Sequence, residues 1–383
     1  MLFILAIRIY ENTRSNAAVS ALYIAFGVPA VVFGVVAGVI VDHLDKRRVL
    51  AWCSIGRAVL MIVLFFFPST LLALYFVMFM NSVLSQFHVP AEAPMIPRLV
   101  PQRALLSANS LFSFTFFTSI AIGFILAGPV LQYAGAYGSF FLLITLYIIA
   151  SSSVSQIPVQ KEHTTGIKRA LTYSAPFLFK RIATDMRSGL AFVRHSRPIR
   201  NALILLSGTQ VVLAILGSLG PGIADRFLHI PVTNASIVIL GPAVLGIIFG
   251  ALWVGNFGSK YTNSFLTHTG LLFGGAIMML IALFIQFRMR GPLVIPMTLV
   301  LFFLLCVANS FLDVPSNATL QQEATGDMRG KIYGILTATG GGIGILPVVL
   351  GGILADAFGI GKVLFVVGAV ILLYGVAEIK NLI

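Results

Sequence analysis

Few side chains in this sequence could do chemistry, and those that could are polar groups set singly into apolar runs. Asn81, Ser85 and His88 step by four and three residues, so they share one face of a helix. Ser207, Gln210 and Ser218 share a face with Ala214, and Asn309 has Asp313 one turn on. Polar groups in a lipid-embedded helix are costly and usually face protein or water. Taken singly, each reads as an interhelical hydrogen bond. As a set, Asn81, Ser85, His88, Ser207, Gln210 and Asn309 favour the wall of a largely uncharged cavity, suited to a hydrophobic or amphipathic small molecule. His88 and Asp313 lie near the ends of their runs, where they can serve a gate as well as a pocket. The sequence offers no nucleophile motif, metal-ligand cluster or phosphate loop, so neither enzymatic activity nor a cofactor is expected.

A second kind of chemistry is reversible ion pairing. Asp42 ends a long apolar run, and Lys46, Arg47 and Arg48 follow it. A carboxylate at a helix end can face the N-terminus of another helix, whose dipole favours negative charge. Gly38, one turn earlier, lets that helix end come close to a neighbour. The twelve acids all fall away from the centres of the apolar runs, so none is an obvious proton carrier. Small residues and prolines recur elsewhere: Gly123, Gly128 and Pro129 in one run, and Gly340, Gly344 and Pro347 in another. They are expected to serve close packing and bending. A nucleotide loop is the rival for the Gly340–Gly344 stretch, but the setting is apolar and no P-loop lysine follows.

These groups must be positioned by membrane helices. The chain has 383 residues, 58% hydrophobic and 10% charged, with a mean hydropathy of +1.00. Soluble domains carry about 25% charged residues. Spans need about 20 apolar residues, and eleven stretches qualify: 17–41, 49–67, 70–88, 105–131, 139–157, 201–222, 234–254, 265–287, 292–312, 332–354 and 360–380. The start, Met1 to Tyr10, is half a span and is expected to be the end of a first helix whose beginning is lost. The two cysteines, Cys53 and Cys306, stand far apart in apolar runs and read as buried small hydrophobes.

The net charge of +13 is concentrated between spans. Residues 158–200 carry Lys161, Lys168, Arg169, Lys180, Arg181, Arg187, Arg194, Arg197 and Arg200. That pattern predicts a cytoplasmic segment at anionic lipid, not a nucleic-acid partner. Within it Phe179, Ile182, Met186, Leu190 and Val193 predict a helix lying in the membrane surface. Counting Lys and Arg places the 42–48 loop, the long linker and the C-terminus in the cytoplasm, and Arg14, Arg226, Arg288, Arg290 and Lys362 outside. The linker divides the chain into an N-terminal bundle (1–157), the linker (158–200) and a C-terminal bundle (201–383). The halves echo one another: Phe87-His88-Val89-Pro90-Ala91-Glu92-Ala93 and Leu312-Asp313-Val314-Pro315-Ser316-Asn317-Ala318 lie 225 residues apart. Repeated halves are the expected sign of an alternating-access transporter.

The loop Gly38-Val-Ile-Val-Asp42-His43-Leu44-Asp45-Lys46-Arg47-Arg48 resembles the signature loop of the major facilitator superfamily, with His43 and Asp45 as departures. Pro90-Ala91 through Leu99-Val100-Pro101 and Ala108-Asn109, Val314-Pro315 through Arg329-Gly330-Lys331, and Tyr10 to Ser15 are similar to segments of its enterobactin-exporter and macrolide-efflux subgroup. The resemblance implies an all-α polytopic fold of two pseudo-symmetric six-helix bundles, the first helix incomplete here. It implies that Asp42, with Lys46, Arg47 and Arg48, latches the cytoplasmic side, and that Asp313, Arg329, Gly330 and Lys331 form a second gate. It further implies a monomer in the cytoplasmic membrane that exports small molecules against protons. Uptake of a neutral nutrient, or a non-transporting sensor or remnant, are the alternatives. Arg57, near the end of the third helix, is expected to snorkel to lipid or pair with the signature loop.

Overall fold

The computed structural model describes residues 1–42, 44–101, 105–157, 187, 190–287, 291–323, 328–337, 339 and 344–380. Among them there is no strand, and the regular elements are helices. In order they are α1 (Leu2–Thr13), α2 (Asn16–Asp42), α3 (Lys46–Phe66), α4 (Leu71–Glu92), α5 (Leu105–Ser155), α6 (Arg197–Arg226), α7 (Gly241–Phe257), α8 (Asn263–Gln286), α9 (Val294–Glu323), α10 (Met328–Thr337), α11 (Ile345–Phe358) and α12 (Ile360–Lys380). Helices are what a lipid solvent allows, because each satisfies its backbone polar groups within itself.

Among the described residues nine helical segments are long and apolar enough to cross a membrane. The eleven expected spans are met differently in two places. The stretches 105–131 and 139–157 run on as α5, which turns at Gly135, whose φ of 66° and ψ of −174° suit glycine. The stretch 332–354 is divided into α10 and α11. At 12 residues, α1 is about 18 Å long, against about 30 Å for a hydrocarbon core.

Local sequence sets the starts. Asp45 caps α3, its carboxylate accepting from the Arg47 N–H at 3.0 Å and the Arg48 N–H at 3.4 Å. Ser196 caps α6 ahead of Pro198, and Thr262 caps α8. Of the two echoing motifs, the first puts Pro90 in the last turn of α4, whereas Pro315 lies inside α9, which continues to Glu323.

The chain forms two compact units. One comprises Met1–Leu5, Ile24–Gly123 and Val130–Asp185; the other Ala6–Tyr23, Phe124–Pro129 and Met186–Ile383. The division falls inside α1, α2 and α5. In the first unit α3 packs on α4, and Val41, Leu50, Ala91 and Met95 make a buried cluster. In the second, α8 packs on α9 and α12, and α7 on α9. Cys53 and Cys306 are both buried.

The surface helix expected around 179–193 lies mostly outside the described residues. Of that apolar face only Leu190 and Val193 are described: Leu190 is 49% exposed, and Val193 is buried with Ile199, Leu203, Leu206, Leu320 and Ile332.

Candidate functional site

On α4, Asn81, Ser85 and His88 share a face, each half-buried. The Ser85 hydroxyl donates to the Asn81 carbonyl at 3.0 Å and accepts from Arg57 Nη2 of α3 at 3.0 Å. The Arg57 guanidinium stands 6.0 Å from the Tyr147 ring centroid of α5. His88 Nε2 lies 4.0 Å from Glu92 Oε2, a contact that becomes an ion pair when the imidazole is protonated. Three atoms of this cluster are buried without a hydrogen-bond partner: Asn81 Oδ1, His88 Nδ1 and Arg57 Nε. A buried polar atom left unpaired costs about 1–3 kcal/mol. Three in one place make a site suited to a polar ligand group or a proton. Arg57 corrects the expectation that it snorkels or pairs with the signature loop: its side chain joins the polar stripe of α4.

The second unit treats its stripe residues separately. The Ser207 hydroxyl is bonded to the Thr339 hydroxyl at 2.8 Å, and Gln210 is exposed. Asn309 lines a cavity of about 240 Å³ among α6, α8, α9 and α12. Asp313 accepts from its own neighbour, Asn317 Nδ2, at 3.2 Å.

Of the signature loop, Lys46 is buried, Arg48 pairs with Asp45 at 3.3 Å, and the Arg47 guanidinium donates to the Ser155 carbonyl. A Cβ built at Gly38 would meet no atom within 4 Å. The side chain of Asp42 lies outside the described residues, as do those of Arg329, Gly330 and Lys331 on α10; Gly340 lies outside them altogether. Gly344 begins α11, its N–H donating to the Thr339 carbonyl at 2.8 Å. Pro347 sits in the first turn, where a missing N–H is tolerated.

Gly123 has open space around its Cα, but Gly128 does not. A Cβ at Gly128 would overlap the Thr233 carbonyl and the Ser236 hydroxyl, and the Gly128 N–H donates to Ser236 Oγ at 3.1 Å. Gly128→Val is therefore expected to destabilise the fold by about 1–3 kcal/mol through overpacking. The check is a fall in Tm of the purified protein that Gly123→Val does not share.

Sequence reasoning missed one network in the second unit. The Asp356 carboxylate of α11 accepts from the backbone N–H groups of Asn16 and Ala17 at 3.1 and 3.0 Å, from the Ser15 hydroxyl at 2.7 Å and from Asn16 Nδ2 at 2.9 Å. It caps α2 from 340 residues away. Arg226 reaches Asp356 at 3.3 Å and the Arg14 carbonyl at 2.6 Å, while Arg14 pairs with Asp225 at 2.6 Å. Beneath the cap, α2 sits against glycines. A Cβ at Gly352 would overlap Ser20 Oγ, and one at Gly222 would overlap Asn16 Oδ1. Nothing local marked these residues; only the four groups Asp225, Arg226, Asp356 and Arg14, all at span ends, hinted at an ionic cluster.

The family model of the Major Facilitator Superfamily matches residues 1–346. The chain belongs to the Major Facilitator Superfamily. Among its superfamily relatives, the chain is 24% identical over 387 residues to macrolide efflux protein A of Streptococcus pyogenes, covering 94% of this chain and 86% of the relative. It is 22% identical over 388 residues to the uncharacterized MFS-type transporter YfiS of Bacillus subtilis, covering 98% and 87%. Its fold superimposes on the crystal structure of the nucleoside transporter NupG with a TM-score of 0.71 at 16% identity, covering 99% of this chain and 96% of that one. The expected all-α superfamily fold is thus the observed one, and this superfamily protein is a multi-pass membrane protein of transporter type.

Proposed function

We propose that this protein exports hydrophobic or amphipathic small molecules from the cytoplasm by alternating access, in exchange for protons. The observation that carries the reading is the Arg57–Ser85–His88 cluster with its three unpaired buried atoms. It offers a polar anchor inside otherwise apolar helices, and the His88–Glu92 contact can gain and lose an ion pair with one proton. The name of macrolide efflux protein A supports export over uptake. In this reading 1–157 and 201–383 are the bundles that rock, Asp42 with Lys46, Arg47 and Arg48 latches the cytoplasmic side, and the charge of the 158–200 linker holds it against anionic lipid in the cytoplasmic membrane. Asp313 with Arg329, Gly330 and Lys331 forms the matching gate of the other half. The Asp356 cap on α2 then falls on the outer side, with Arg14 and Arg226.

Expression in a pump-deficient host tests this. Accumulation of several lipophilic compounds from a chemically broad panel should fall, and a protonophore should restore it. Unchanged accumulation across the panel would count against export. Asp42→Asn is expected to lower turnover at least tenfold with the protein still in the membrane. His88→Gln should leave binding of the exported compound within about threefold while uncoupling efflux from the pH gradient.

A further inference from the structure

A cleft lies wholly within the second unit, in two adjoining chambers. The inner chamber, about 240 Å³, is apolar, with Leu213, Leu216 and Leu305 in its wall. The outer, about 340 Å³, is polar and includes Arg197, Asn201, His268, Ser316 and Glu378. Leu205, Leu271 and Tyr374 line both, so the two adjoin across a shared wall. Their volumes together fall in the range of about 300–1,000 Å³ typical of ligand pockets.

The polar chamber holds both signs of charge. The first turns of two long helices meet there: Arg197 and Pro198 of α6, and Asn263 and Ser264 of α8. The Ile199 and Phe265 N–H groups are taken by the caps Ser196 and Thr262, and Pro198 has none, but the partial positive charge of the two N-termini, together with Arg197, suits a phosphate. Glu378 supplies the negative side, held by Asn201 Nδ2 at 3.5 Å and the Tyr374 hydroxyl at 3.4 Å. Ser316, 2% exposed, lines the same chamber with its hydroxyl unpartnered. Two residues of the apolar chamber's wall, Ile204 and Val370, are themselves exposed, and Val370 shares the exposed face of α12 with Val366 and Leu373. In a membrane helix such an apolar face meets lipid chains.

We infer that this cleft holds one zwitterionic phospholipid-type amphiphile drawn from the bilayer. Its phosphate sits at Arg197 and the two helix N-termini, its ammonium at Glu378, and one acyl chain in the apolar chamber. The inference stands apart from export, since it concerns a bound lipid and is read by binding alone.

Native mass spectrometry of the delipidated full-length protein tests it with three single-chain probes: lysophosphatidylethanolamine, lysophosphatidylglycerol and dodecyl maltoside. One lysophosphatidylethanolamine should be retained at least tenfold more tightly than the maltoside, and more tightly than the anionic probe. Arg197→Gln should remove the preference over the maltoside, and Glu378→Gln the preference over lysophosphatidylglycerol. A Cβ at Gly208 meets nothing within 4 Å, so Gly208→Leu should fill the apolar chamber and cut retention at least tenfold. Equal retention of all three probes, or head-group preferences unchanged in Arg197→Gln and Glu378→Gln, would overturn the assignment. Arg197 is exposed, so its replacement keeps the test valid if Gly208→Leu does not fold.

Discussion

In the Asp356→Asn variant, amide exchange over residues 15–18 should rise about thirtyfold, while Asp225→Asn should raise it less than threefold. The contrast follows from what each carboxylate holds. Asp356 accepts two backbone N–H groups, a hydroxyl and a side-chain amide at the start of α2. An asparagine keeps the shape but sets an NH₂ against donors and removes the charge that faces the helix dipole. Loss of a cap costs about 0.5–2 kcal/mol, and hydrogen bonds to a charged group are worth about 1.5–3 kcal/mol. Roughly 2 kcal/mol is therefore at stake, which is about thirtyfold at 1.4 kcal/mol per tenfold. The Arg226–Asp356 pair adds little, because the Arg226 side chain is 42% exposed. Asp225 binds Arg14, which is 61% exposed, and the Tyr10 hydroxyl at 3.3 Å, so its neutralisation moves less. Hydrogen–deuterium exchange by mass spectrometry reads both variants. Equal protection in Asp356→Asn and the parent would show that the glycine seat at Gly352 and Gly222 holds α2 without the carboxylate.

That network marks the boundary of what one-dimensional reading reaches. Spans were legible because their cause is local: twenty apolar residues make a lipid-facing helix whatever surrounds them, and Gly128 next to Pro129 marks a close crossing. The caps at Ser196 and Asp45 and the turn at Gly135 emerged only from the structure. The stripe Asn81–Ser85–His88 was legible because helical period alone puts it on one face. Arg57 was not, since the same side chain can reach lipid or protein, and which it does depends on where Ser85 and Tyr147 stand. Asp356 was harder still: as a sequence feature it is one acid at a span edge, and its partners are some 340 residues away. Gly123 and Gly128 make the same point in reverse. Both satisfy the small-residue pattern, yet only Gly128 has a neighbour, Ser236, close enough to need it.

Arg57→Met should abolish efflux, by at least tenfold in rate, while leaving Tm unchanged or higher. A guanidinium inside a membrane span is expensive, about 2.5–3.5 kcal/mol at a helix centre on insertion scales. Here it recovers one hydrogen bond to Ser85 and a position over Tyr147, with Nε left unpaired. An arginine kept for stability would be better paired than this. Methionine fills similar space without the charge, so the fold loses one modest hydrogen bond and sheds a desolvation cost. Stability and activity then move in opposite directions, as expected when a site holds strain for function. Arg57→Lys separates charge from shape: the ammonium keeps the charge but lacks the planar fork, and an intermediate efflux rate is expected. Melting curves in detergent together with efflux rates decide the matter. A Tm that falls in step with activity in Arg57→Met would mean that the cluster only holds α3 to α4, and the polar anchor of the proposed transport site would have to be sought elsewhere.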